Sequence, residues 1–288
     1  MTTQEKHQPL SPVSLRLIQT IVKWLGYINP GLAAYYAYHV WHTTRRFKQP
    51  ERELQWQQAA RTVQLTAAGK NLVVYEWEQG PTVLLIHGWS GRGMQLGAMA
   101  QGLGQAGYQA IAIDLPAHGK SQGKKTNAYV MADAIAVVAA HYGDVHGVVS
   151  HSFGILPLVL ALRDGLIAQR IVAICPPDRL SPLFDIFCDS LGLSANIKQK
   201  LAELTEKNYG DSVWDDVSPA FNVQSIQQAA LIIHDENDKE LSWRRGKALA
   251  DSWPDSAFKL TQGLGHRRIL RDSSVIEQIV NYLHQDDH

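Results

Sequence analysis

The chain is poor in cysteine, carries no net charge and has no long uninterrupted apolar run. Each lack removes a class of protein. Two cysteines, Cys175 and Cys188, cannot staple a disulfide scaffold; each sits in an apolar stretch, as a buried free thiol does. A reducing cytosol fits that usage. With 27 Lys/Arg against 27 Asp/Glu, no global field draws the 288 residues toward nucleic acid. Leu15 to Ile28 is apolar, but Arg16, Gln19 and Lys23 interrupt it and Asn29-Pro30-Gly31 ends it, so it is too short to span a bilayer. Met1 is followed by polar residues without a signal-peptide pattern. There is no Gly-x-Gly-x-x-Gly after the first parallel strand and no Gly-Lys-Ser/Thr loop, which removes two common nucleotide fingerprints. Gly88 to Gly93 is glycine-rich but has neither spacing. His141, His146 and His151 share no helix or strand face, so we expect no metal.

What is present divides the chain. Residues 1–61 hold eight Lys/Arg and three Glu, a local excess of +5. Leu17, Ile21, Trp24, Leu25 and Ile28 recur at helical spacing, and a second helix is predicted over 32–41 with Tyr35, Tyr36, Tyr38 and Trp41. Arg45-Arg46-Phe47-Lys48 follows. We read residues 1–60 as an N-terminal helical extension. It packs on the rest of the chain, or else rests on anionic lipid as a peripheral membrane contact through residues 15–48. The chain is otherwise expected to be cytoplasmic, at most associated with the inner membrane surface.

From residue 61 the period changes. Arg61–Thr66 and Asn71–Trp77 read as antiparallel strands joined by a tight turn. Thr82–His87 is a continuous apolar run, as a strand buried on both faces requires. Further runs at 110–114, 147–150, 171–174, 230–234 and 257–260 alternate with helical patterns near 93–107, 127–142, 153–165, 242–252 and 273–285. Such alternation predicts an α/β fold, an open and mostly parallel sheet flanked by helices, with ligands at the carboxyl ends of the strands.

The chemistry-bearing motifs fall at those ends. Val148-Val149-Ser150-His151-Ser152-Phe153-Gly154 is strand, sharp turn and helix, with a hydroxyl at the apex. It resembles the nucleophile elbow of the α/β-hydrolase family, usually Gly-x-Ser-x-Gly, with Ser150 in place of the first glycine. His87-Gly88-Trp89-Ser90-Gly91 is similar to the family's His-Gly turn. Asp114-Leu115-Pro116-Ala117-His118-Gly119-Lys120-Ser121 is similar to its Asp-x-x-x-His-Gly-x-Ser loop, where Asp114 and His118 shape the backbone. His234-Asp235-Glu236-Asn237-Asp238 stands where the family has Gly-x-x-Asp, and Gly263-Leu264-Gly265-His266 precedes the last helix. The resemblance covers about residues 61–288 and implies an eight-stranded sheet. It also implies that Ser152 is the nucleophile and His266 the general base and acid. Asp238 is the orienting acid, with Asp235 as the fallback, and the Trp89 and Phe153 N–H groups form the oxyanion hole. Residues 32–50 and the Gly-Leu-Gly-His-Arg-Arg ending also look like a bacterial subgroup whose substrates are undefined.

Between Cys175 and Gln228 the chain leaves the sheet. The position matches the family's helical cap, assigned here to 176–228, with the catalytic domain at 61–175 and 229–288. Phe184, Phe187 and Trp214 are expected to wall an acyl pocket. The implied function is a cofactor-free serine hydrolase of carboxylic ester or thioester bonds, acting through an acyl-enzyme on a small-molecule acyl substrate. The alternatives are a non-catalytic small-molecule binding module, a serine peptidase and a carbon–carbon bond hydrolase.

Overall fold

Why each segment folds as it does is clearest in the strands. In the computed structural model, which describes residues 12–284, Thr82–Ile86 is buried at every position. Val83 and Leu85 join one core cluster, and the equally buried Leu84 and Ile86 point to the opposite face. That is the pattern of a strand covered by helices on both sides.

In chain order the elements are α1 (Pro12–Ile28), α2 (Pro30–Trp41), α3 (Glu51–Ala59), β1 (Arg61–Ala67), β2 (Lys70–Trp77), β3 (Thr82–Ile86), α4 (Gly97–Gln105), β4 (Gln109–Asp114), α5 (Ala128–Tyr142), β5 (Val145–His151), α6 (Ile155–Arg163) and β6 (Ala168–Ile174). There follow α7 (Ser181–Leu191), α8 (Ala195–Tyr209), α9 (Val213–Asp216), α10 (Pro219–Asn222), β7 (Ala230–Asp235), α11 (Trp243–Ser252), β8 (Ala257–Thr261), α12 (Gly265–Arg268) and α13 (Ser273–Leu283). The eight strands form one sheet in the order β1-β2-β4-β3-β5-β6-β7-β8. β2 is antiparallel to both neighbours, and β4 through β8 run parallel. α4 and α13 pack on each other over one face, and α5 and α6 pack on each other over the other. The parallel strands therefore all end at one edge, where the predicted motifs lie.

The described residues divide into two units. Those up to Thr43 join Ser181–Trp214 in one, and Thr44–Leu180 joins the chain from Asp215 in the other. This differs from the expected extension of 1–60 and insertion of 176–228. α1 and α2 do not form a unit of their own. Val22, Ala33 and Ala37 share a core with Phe184, Cys188 and Leu201 of α7 and α8. Gly26 permits the approach, since a Cβ there would lie 2.9 Å from Ile197. α3, which the sequence reading passed over, belongs instead to the sheet unit. Its Glu53 carboxylate pairs twice with the Arg92 guanidinium, at 2.6 and 2.7 Å, and Trp56 seats against Gly97 of α4. No described helix is long and apolar enough to cross a membrane.

Candidate active site

β5 delivers Ser152 at a backbone angle that an ordinary side chain avoids. Its φ is 53°, in the left-handed region. The turn is tight because two glycines give way. A Cβ at Gly154 would sit 2.7 Å from the His87 carbonyl oxygen, and one at Gly88 would sit 3.0 Å from the Ser152 Cβ. Ser150, where a third glycine was expected, is fully buried, and its hydroxyl donates to the Val172 carbonyl at 3.3 Å on the neighbouring strand. The extra oxygen thus finds a partner instead of straining the turn. Ser152 itself is half-exposed, and its hydroxyl makes no hydrogen bond among the described residues.

His266 stands at the start of α12. Its Nδ1–H donates to the Asp238 carboxylate at 2.6 Å, and both side chains are shielded from solvent. Asp238 lies three residues beyond β7. One of its oxygens accepts the Glu240 and Leu241 backbone N–H groups at 2.8 and 2.9 Å. The other accepts His266 and lies 3.2 Å from the His234 Nε2, whose N–H it shares with the Leu241 carbonyl at 3.1 Å. Burial works to raise its pKa, but the donors from His234, His266 and Leu241 outweigh burial and hold the carboxyl far below its usual range. It is therefore an anion at neutral pH.

Asp235 has a different job. Its carboxylate accepts from the Asn237, Gly265 and Leu264 backbone N–H groups and from the Thr261 hydroxyl, at 2.8 to 3.1 Å. It pins the loop that carries His266 and touches no imidazole. Between the fallback and Asp238, only Asp238 meets the histidine.

Ser152 is tied to the histidine loop through its neighbour. The His151 Nε2–H donates to the His266 carbonyl at 2.9 Å, and the two rings lie 4.7 Å apart. Burial first, then the nearby His266, keeps His151 well below the ordinary imidazole pKa, so it stays neutral. Trp89 and Phe153, expected from sequence to supply the oxyanion donors, are neighbours. The Trp89 and Phe153 rings approach to 5.1 Å, and neither backbone N–H is taken by a turn or loop hydrogen bond among the described residues.

The surrounding loops are held by the residues read as structural. The His87 Nδ1–H donates to the Gly88 carbonyl at 2.7 Å, and its Nε2 accepts the Leu115 N–H at 3.1 Å. Those partners fix one neutral tautomer, and burial keeps it neutral. Asp114 accepts the Gly93 and Lys120 N–H groups at 2.6 and 2.7 Å.

Cys175, His234 and Asp238 bring three potential ligand atoms within 4.8 Å of one another. Burial, then the adjacent Asp238 carboxylate, pushes the Cys175 thiol well up, so it stays protonated. Asp238 is already committed to four N–H donors, and the trio reads as a hydrogen-bonded cluster. The sequence reading missed His234. Its position four residues before Asp238 was the signal, but only the turn after β7 folds it back. Phe184, Phe187 and Trp214 lie in the helical unit. The Phe184 ring is 4.8 Å from Trp214, and the Phe187 ring is 4.8 Å from Trp41.

A profile of the alpha/beta hydrolase family matches residues 83–277. The chain belongs to the alpha/beta hydrolase family. No curated protein sequence matches it. Among solved structures it is similar to the esterase Est1E from Butyrivibrio proteoclasticus, determined with ferulic acid bound. That likeness has a TM-score of 0.61 and 17% identity, over 77% of this chain and 100% of that one. An esterase from Exiguobacterium antarcticum gives 0.61 and 15%, over 78% and 100%. A membrane phospholipase A, described as a bacterial virulence factor, gives 0.63 and 14%, over 94% and 96%. At these identities the likeness shows the fold, and the hydrolase family follows from the profile.

Proposed function

We propose that this alpha/beta hydrolase is a serine hydrolase of carboxylic ester or thioester bonds. The observation that carries the reading is the buried Asp238–His266 pair at 2.6 Å, tied by His151 to a serine in a strained turn. A serine hydroxyl is a poor nucleophile at neutral pH and needs a base. With the Nδ1–H held by Asp238, the His266 Nε2 lone pair is left to take the Ser152 proton. Ser152 Oγ then attacks the acyl carbon, and the Trp89 and Phe153 N–H groups receive the oxyanion. His266 returns the proton to the leaving alcohol or thiol. Water, activated by the same imidazole, releases the acid and restores Ser152. Catalytic hydrogen bonds of this kind tighten when substrate binds.

Intact-protein mass after exposure to a fluorophosphonate tests the reading. One adduct is expected on the wild type, none on Ser152→Ala, and much slower labelling on His266→Ala. An unlabelled wild type would favour a binding module. Phe184, Phe187 and Trp214 are proposed to set acyl-chain preference. An ester panel whose chain-length profile is unchanged by Phe187→Ala would remove that part. The reading also includes peripheral membrane contact through residues 15–48, which would bring such an enzyme to lipid esters.

A further inference from the structure

α1 is apolar on two opposite sides, and only one of them is covered. Val22 is buried, and Leu15, Ile18 and Leu25 pack on the same core. On the far side Trp24, Tyr27 and Ile28 are 66, 74 and 74% exposed, with Leu17 beside them. Positions 17, 24 and 28 fall on one stripe of a helix, and Tyr27 borders it. Leu32 and Tyr35 of α2 are also largely exposed. Two cations, Arg16 and Lys23, stand exposed on the same side of α1. From residue 12 to residue 50 the chain has no Asp or Glu at all.

Not every residue of the 15–48 stretch is available for a lipid contact. Tyr36, Tyr38 and Trp41 pack toward the helical core. The Arg46 guanidinium donates to the Ser121 and Gly123 carbonyls.

We propose that this outer face of α1, continued onto Leu32 and Tyr35, docks on an anionic lipid bilayer. The inference deepens the membrane part of the reading above by naming the surface. Exposed apolar area of this kind marks an interaction site. Trp and Tyr favour the headgroup level, where the ring is buried and the polar edge stays wet. Ile28 and Leu17 reach the acyl boundary, and Arg16 and Lys23 meet lipid phosphates. A second copy of the chain fits worse. A symmetric pairing through this face would bring cations together with no carboxylate on α1 or α2 to offset them.

The test uses the full chain with Ser152→Ala, so that no lipid is consumed. Sedimentation is measured with phosphatidylcholine vesicles, with and without phosphatidylserine, at low and high salt. The expected result is pelleting with phosphatidylserine at low salt, reduced by high salt. Trp24→Ala with Ile28→Ala, and Arg16→Gln with Lys23→Gln, should each weaken it by about tenfold or more. Ile167→Ser, a change at an exposed apolar residue of the sheet unit, should leave it unchanged. No pelleting at low salt overturns the proposal. So does pelleting that both double variants retain while their circular dichroism matches the parent. A self-association lost in Trp24→Ala with Ile28→Ala, without vesicle binding, assigns the face to a second copy instead. Fluorophosphonate labelling of the unmodified chain reads the catalytic proposal independently of all these outcomes.

Discussion

Replacing Asp238 by asparagine separates orientation of the base from everything else in the site. The carboxylate is enclosed and each oxygen holds two donors. Oδ1 takes the Glu240 and Leu241 N–H groups, and Oδ2 takes His266 and His234. An amide has one oxygen. The backbone donors cannot turn away, so that oxygen stays with them and the NH2 group faces the two imidazoles. His266 must then present a bare Nδ1, and its proton moves to Nε2. The lone pair proposed to take the Ser152 proton is lost. By analogy with the same exchange in serine proteases, kcat should fall by about 10⁴-fold, or roughly 5 kcal/mol of transition-state stabilisation. KM should move little, because no substrate contact changes. Asp235→Asn loosens the loop without altering the tautomer, and the loss should be about ten- to a hundredfold. The assay is steady-state hydrolysis of p-nitrophenyl acetate by the wild type and both variants, each checked by circular dichroism. An Asp238→Asn enzyme within about tenfold of the wild type, with Asp235→Asn far below it, refutes the reasoning and makes Asp235 the acid.

Other consequences are separately measurable. Glu53→Gln leaves the shielded Arg92 guanidinium without its anion. It should cost about 3–5 kcal/mol and lower Tm by roughly 6–20 °C, read by thermal unfolding; a change under about 1 kcal/mol contradicts the ion pair's role. His118 is held down to about 4, by burial first and by the Arg46 cation next, against an ordinary value of 6.5. The unfolded chain therefore takes the proton first as pH falls, so this stability is complete above pH 6.5 and is lost toward pH 4. The single-site limit is about 3 kcal/mol, with His87 and His151 acting in the same direction. Urea midpoints that do not fall across that window would exclude it. Gly246→Ala would place a Cβ 2.5 Å from His234 Nδ1, displacing the imidazole that donates to Asp238. We expect kcat to drop by about tenfold with KM unchanged; unaltered kcat in a folded variant means that His234 does not position the acid.

The strands were legible because burial on both faces makes a continuous apolar run, and the run needs no knowledge of its partners. The elbow was legible because strain at Ser152 calls for small neighbours on both sides. That Asp238 and His266 meet was readable from order and position at strand ends. What the sequence withheld depends on contacts distant along the chain. α3 is mostly polar, and its anchors are Arg92 and Gly97, some forty residues on. The fate of α1 and α2 turned on α7 and α8, and an apolar stripe does not say which partner covers it. Ser150 and Asp235 read as departures from the family pattern. Only the fold shows that each added polar group has found hydrogen-bonding partners.

The shared core of α1, α2, α7 and α8 also bears on how the chain is made. Val22, Ala33 and Ala37 leave the ribosome long before Phe184, Cys188 and Leu201 exist to cover them. Ser181 follows Trp41 by 140 positions, which at ordinary synthesis speed is roughly 7–28 s. Through that interval the leading helices are apolar on every side that matters, and they are a natural client for a holding chaperone. Trimming them from a recombinant version would strip α7 and α8 of their cover, and such a truncated protein should be recovered mainly as aggregate.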